Sequence, residues 1–247
     1  MQKRRILLAA LVAVTCLPLS AQSDDFGLWG EVNVEKKLTK KWSLGAGVEY
    51  RTRDNVKTSD RFSAGIDASY KITDWLKASV GYSLLDDHNY KVNTKGTKYA
   101  DYWGLRHRTS MSLTAAKSFG KFNLSLRERW QYTFRPEKTV TRYYLNTTTS
   151  HDAGEEADEK TYSSKHKHVW RNRLQVRYKI SSMWHPYVNA ETYMSSSFEK
   201  IRCAAGTEIR INKQHSLNVA YMFQHPFNDD EDEGNSHILN VGYTFKF

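Results

Sequence analysis

Arginines fall on same-parity positions in three stretches of the chain: Arg106 and Arg108; Arg127, Arg129 and Arg135; Arg171, Arg173 and Arg177. In an extended strand, residues two apart share a face. Each stretch therefore presents a row of guanidinium groups. Such a row can pair carboxylates bidentately, or favour anions where it lines a passage. Glu31, Glu35, Glu49, Asp67, Glu191 and Glu208 stand in other stretches of the same kind and are the expected partners. A second constellation is His107, Thr109 and Glu128, which interrupt otherwise apolar faces. A hairpin through 118–120 would bring them within about one residue of register. An imidazole, a hydroxyl and a carboxylate together could do acid–base and nucleophilic work. His166 and His168 share a strand face, but no spacing fixes a third ligand, so no metal site and no cofactor are expected. No nucleophile elbow, phosphate loop or zinc-protease helix motif is present.

The elements that position these residues repeat with period two. Trp42, Leu44, Ala46, Val48 and Tyr50 oppose Ser43, Gly45, Gly47, Glu49 and Arg51. Phe62, Ala64, Ile66, Ala68 and Tyr70 oppose Arg61, Ser63, Gly65, Asp67 and Ser69. The same alternation continues to Leu239, Val241, Tyr243, Phe245 and Phe247. Strand candidates are 27–36, 42–52, 61–72, 75–86, 102–117, 121–135, 166–180, 184–195, 198–211, 215–225 and 237–247. Short links alternate with longer ones at 53–60, 87–101, 136–165 and 226–236. Strands of this length, apolar on one face, with turns and long loops at opposite ends, describe an outer-membrane barrel. Aromatics toward the ends of the apolar faces suit the membrane interfaces.

Composition removes other classes. The chain has 247 residues, 13% of them aromatic, with a formal net charge of +10. Disordered chains are poor in aromatics, and no apolar run reaches the ~20 residues of a membrane helix. Lys3, Arg4 and Arg5, followed by an apolar stretch and a small-residue site after Ala21, read as a cleaved export signal. The expected domains are thus a signal peptide, 1–21, and a barrel, 22–247. Processing would lower the charge to +7 and leave Cys203 as the single cysteine, so no intrachain disulfide is expected. Nucleic-acid binding is not expected, because the aromatics lie on the face opposite the arginines. The acidic runs at 151–160 and 228–234 read as solvated loops, with divalent-cation binding as the sharper alternative.

Phe26-Gly-Leu-Trp29, His168-Val-Trp-Arg-Asn-Arg173, Pro186-Tyr-Val-Asn-Ala-Glu191 and the Tyr243–Phe247 tail resemble an uncharacterised outer-membrane β-barrel family, catalogued as domain of unknown function 2490. The resemblance spans most of the chain after residue 21. It implies a barrel in the outer membrane of a Gram-negative bacterium and carries over no functional residue. The terminal Phe resembles the signal such proteins present to the barrel-assembly machinery.

The expected fold is all-β: a transmembrane antiparallel up-and-down β-barrel. Eleven candidates meet the even strand number of bacterial single-chain barrels, so ten or twelve strands are expected. Either 27–36 lies outside the wall or a strand is hidden. The expected interior is a charge lattice of Arg106, Arg108, Arg127, Arg129, Arg171, Arg173 and Arg177 with Glu49, Glu191 and Glu208. The leading functional expectation is a structural or narrow, anion-selective channel role for a monomer in contact with outer-membrane lipid and lipopolysaccharide. One alternative is a lipid-modifying enzyme. Its outer wall would carry Thr109, His107 and Glu128, similar in principle to outer-membrane lipid deacylases, which use Ser where Thr109 stands. The other alternative is a receptor or adhesin acting through its long loops.

Overall fold

The computed structural model describes residues 24–147, 151–227 and 234–247. The predicted signal, 1–21, lies outside them, as do residues 228–233 of the second acidic run.

Among the described residues thirteen strands form one sheet: β1 (Asp25–Lys37), β2 (Trp42–Arg53), β3 (Thr58–Lys71), β4 (Leu76–Val92), β5 (Lys98–Phe119), β6 (Phe122–Arg135), β7 (Lys138–Tyr144), β8 (Glu156–Tyr162), β9 (Lys165–Tyr178), β10 (Trp184–Met194), β11 (Phe198–Arg210), β12 (His215–Pro226) and β13 (Ser236–Lys246). Strands β1–β6 and β9–β13 form a closed wall. Strands β7 and β8 stand outside it as a hairpin, attached to the end of β5 through Lys98↔Tyr144 and Tyr99↔Tyr143.

The wall therefore has eleven strands, which corrects the expectation of ten or twelve. All eleven sequence candidates belong to it, the first included. In an up-and-down wall with an odd count, the first and last strands must run the same way. β1 and β13 do so, pairing in parallel from Asp25↔Ser236 to Glu35↔Lys246. Parallel pairing is slightly weaker per residue. Here the seam is reinforced at its lower end by Lys246 Nζ–Glu35 Oε2 at 3.6 Å and by Phe247 N donating to Glu35 O at 3.0 Å.

β7 and β8 correct the reading of 136–165 as a loop. Glu156–Tyr162 is rich in charge, which hides its pairing in a sequence. Its partner supplies the counter-charge: Arg142 donates to both oxygens of Asp158, at 2.7 and 2.5 Å. That hydrogen bonding holds the Asp158 carboxyl below its usual range. Part of the first acidic run is thus a paired strand beyond the wall.

The short turns share a local device. Thr39 Oγ1 accepts from the backbone N–H of Trp42, Thr73 Oγ1 from Leu76, Ser181 Oγ from Trp184 and Asn212 Oδ1 from His215, at 2.8–3.1 Å. A short polar side chain bonding backbone three residues on closes the turn. The β5–β6 turn uses Gly120 instead, at φ +59°, a conformation glycine adopts without steric cost.

Burial is inside-out. Val32, Val48, Phe62, Leu113 and Leu174 are exposed on the outer face, and Ile66 is 64% exposed. Asp87, Gln131, Gln175, Glu191, Gln224 and Asn240 are buried. In water, that outer face would be an aggregating patch; toward lipid it is the solvated side. Aromatic pairs mark its lower rim, with Trp42–Tyr70 and Phe122–Tyr178 ring centroids each 4.8 Å apart.

Candidate functional site in the barrel lumen

Alternation turns one face of every wall strand inward, and register decides which inward residues meet. Ser69, Ser79, Ser112, Arg129, Arg171 and Tyr193 form one continuous inward row across β3, β4, β5, β6, β9 and β10. The row starts with hydroxyls, Ser69 Oγ and Ser79 Oγ lying 2.9 Å apart, passes to guanidinium groups and ends in the phenol of Tyr193. A parallel row runs Gly47, Gly65, Ser83, Arg108. Gly65 sits tightly there, since a Cβ would lie 2.6 Å from Ser83 Oγ. The lumen thus has a Ser/Gly wall on β2–β4 and an arginine wall on β6 and β9, with β5 contributing to both.

On the arginine wall, Arg127 is directly opposite Arg173 and Arg129 directly opposite Arg171. Like charges at such positions destabilise a sheet. Glu191 of β10 offsets part of this. It is 6% exposed and accepts from Arg127 Nη2 at 2.5 Å and Arg171 Nη2 at 2.7 Å. Tyr193 OH donates to the same carboxylate at 3.1 Å, and Arg202 Nη1 donates to Tyr193 OH at 2.6 Å. Arg171 and Arg202 also stack on the Tyr193 ring, 4.4 and 4.8 Å from its centroid.

The network continues toward β1 and β2. Trp29 takes Arg202 at 4.9 Å and Arg51 at 3.7 Å from its ring. Arg51 forks onto Glu49 at 2.8 and 3.0 Å. Nearer the long loops, Arg61 and Arg106 both pair with buried Asp87. Nearer the short turns, Glu208 pairs with Arg177 and Arg210, each at 2.8 Å.

Arg108, Arg129 and Arg173 are different. Among the described residues none of them has a carboxylate within 4.0 Å. Arg108 Nε donates to Thr133 Oγ1 at 3.2 Å. The Nε atoms of Arg129 and Arg173 are buried without a hydrogen-bond partner, as are those of Arg127 and Arg171. Arg108, Arg129 and Arg173 line a cavity of about 560 Å³, together with Trp29, Arg51, Arg202, Ser83, Ser110 and Ser112 and the carboxylates of Glu31, Glu49, Asp67 and Glu191.

Arg51, Arg61, Arg202, Asp87, Trp29 and Tyr193 are the lumen residues that the sequence reading left out of the lattice. Arg51 and Arg61 already stand on the inward side of its alternation. Asp87 was lost because the sequence ends the fourth strand at 86, whereas β4 continues to Val92. Trp29 and Tyr193 point inward against the trend that sends aromatics to lipid.

The outer-wall constellation does not assemble. Thr109 is opposite Tyr132 and His107 opposite Phe134, while Glu128 is opposite Leu113. β5 extends to Phe119 and turns through Gly120 and Lys121, which moves the register away from the expected pairing. His107 Nδ1 lies 2.6 Å from Tyr82 OH, and Glu128 accepts from Trp170 Nε1 at 2.9 Å. His166 and His168 face outward beside Tyr132, whose OH is 2.5 Å from His166 Nδ1. Among the described residues, no group of three His, Cys, Asp or Glu side chains is arranged to hold a metal.

The fold is that of outer-membrane barrels. It is similar to the translocator domain of autotransporter NalP from Neisseria meningitidis, at 10% identity and a TM-score of 0.54, over 76% of this chain and 71% of that one. The beta domain of the Bordetella autotransporter BrkA matches at 14% identity and a TM-score of 0.49, covering 82% and 79%. The NanC porin matches at 13% and 0.49, covering 90% and 98%. No curated protein matches the sequence. The model of the family described as protein of unknown function (DUF2490) matches residues 26–235, and the chain belongs to that family.

Proposed function

We propose that the protein is an outer-membrane barrel whose lumen is a narrow, anion-selective path. The observation that carries this reading is the set of Arg108, Arg129 and Arg173, which line the cavity and, among the described residues, have no carboxylate within 4.0 Å. A purely structural lattice would pair its charges, because a buried unpaired charge is costly. Here Glu191 and Glu49, which line the cavity, are taken up by Arg127, Arg171 and Arg51, and even with Glu31 and Asp67 the lining carries more Lys and Arg than Asp and Glu. Rings of arginine favour anions in a pore. The apolar outer face supports a setting in outer-membrane lipid and lipopolysaccharide.

The test is conductance in planar bilayers under a KCl gradient, with folding confirmed by the gel shift between unboiled and boiled samples. A reversal potential on the chloride side is expected. Arg129→Glu with Arg173→Glu should move it toward potassium. Folded protein that gives no discrete conductance overturns the reading.

A further inference from the structure

We infer that the cavity is a binding site for a monosaccharide-sized polyol carrying an oxyanion, phosphate or carboxylate. This rests on the anion-path reading and specifies what that path takes.

The oxyanion is called for by the arginine wall. Guanidinium groups match the oxygens of carboxylate and phosphate with paired N–H donors. The Nε donors of Arg129 and Arg173 are buried and unpaired, and buried donors are normally satisfied. Arg173 faces Arg127 across the strands, and Arg129 faces Arg171. An anion between them would relieve both the repulsion and the missing hydrogen bonds.

The polyol body follows from the opposite wall. Ser83, Ser110 and Ser112 line the cavity together with Asn189, Asn218 and Asn240, and the carboxylates of Glu31 and Asp67 add further acceptors for hydroxyl groups. Hydroxyl and amide groups both donate and accept. They complement sugar hydroxyls, which also do both, and offer little to an apolar body. The wall is kept open by small residues: Gly65 already lacks room for a Cβ beside Ser83. At about 560 Å³ the cavity falls within the range of small-molecule sites, roughly 300–1,000 Å³. An inorganic ion would leave most of the hydroxyl wall unused.

Isothermal titration of the refolded full chain in zwitterionic micelles tests this, with glucose 6-phosphate, glucuronate, inorganic phosphate and glucose as probes. At least one of the two sugar anions should bind on the order of tenfold tighter than inorganic phosphate, as one or two added hydrogen bonds allow. Glucose should give no heat above dilution. Whichever sugar anion binds tighter identifies the oxyanion. Arg129→Gln with Arg173→Gln should abolish binding; Arg108→Gln is the second variant should that pair not fold. Ser83→Ala with Ser112→Ala should weaken the sugar anions and leave inorganic phosphate as it was. Equal affinity for phosphate and the sugar anions overturns the polyol assignment. No binding of any probe overturns the site. Chloride selectivity in bilayers without such binding leaves the path reading standing, so the two failures are separate.

Discussion

The two halves of the lumen solve opposite problems. On β2–β4 the inward residues at mid-height include Gly47, Gly65, Ser69, Ser79 and Ser83, small enough to need few partners beyond contacts such as Ser69–Ser79, and the charges of these strands pair nearby, as Arg51 with Glu49 and Arg61 with Asp87. On β6 and β9 they are arginines set opposite one another, and the wall stands because Glu191, Tyr193 and Gln131 reach into it. The first half makes space and the second fills it with charge. The difference teaches that interior charge here is unevenly neutralised: it is paired tightly around Glu191 and left open at Arg129 and Arg173. A lattice built only for stability has no reason for that asymmetry.

The comparison can be broken most sharply at Glu191. Glu191→Gln removes the carboxylate shared by Arg127 and Arg171 while keeping its shape. Loss of one partner of a buried ion pair costs about 3–5 kcal/mol. The urea midpoint of refolding into lipid vesicles should fall accordingly. An unchanged midpoint would show that the arginine wall is already neutralised by other means.

Arg129→Gln should act in the opposite direction. It removes one member of a directly opposed like-charge pair, and relief of about 0.2–1 kcal/mol is expected in the same assay. A marked loss of stability would mean that Arg129 has an unrecognised anionic partner. The Ser/Gly side should respond least within the lumen. Ser112→Ala, in register with Arg129, should stay within about 0.5 kcal/mol of the parent midpoint. A larger drop would contradict the picture of a wall that merely makes space.

The smallest effect lies outside the lumen. Asp158 has its pKa lowered by Arg142, so the stabilisation it gives is present above the ordinary aspartate pKa and is lost as pH falls through the lowered one. Amide protection factors in β7 and β8 should therefore be similar at pH 7 and pH 5 and fall below about pH 4. In Asp158→Asn that pH dependence should vanish.

How legible all this was from the sequence depends on the range of the interaction. The alternation in Trp42–Arg51 needs no knowledge of neighbours, because a strand fixes its own two faces. Arg127, Arg129, Arg171 and Arg173 could be placed on the inward face for that reason. Which arginine meets which carboxylate could not be read. Glu191 is in register with Arg173 and Arg202 but forms ion pairs with Arg127 and Arg171, since long side chains cross the strand spacing. Trp29 was invisible as a lumen residue because Arg51, its partner across the β1–β2 hairpin, and Arg202, far away in sequence, meet it only once the wall is formed.

The sequence by itself determined the two-faced strands, the turn chemistry at Thr39, Thr73, Ser181 and Asn212, and the polarity that sends apolar residues outward. These are local consequences of backbone geometry and side-chain type. Only the tertiary structure decided the count of eleven, through the parallel pairing of β1 with β13. It alone fixed the β5–β6 register at Gly120, which separates Glu128 from Thr109 and His107. It also decided that Arg129 and Arg173 line the cavity with no carboxylate at ion-pair distance. Closure, register and charge neutralisation each depend on residues that meet only when the sheet is shut.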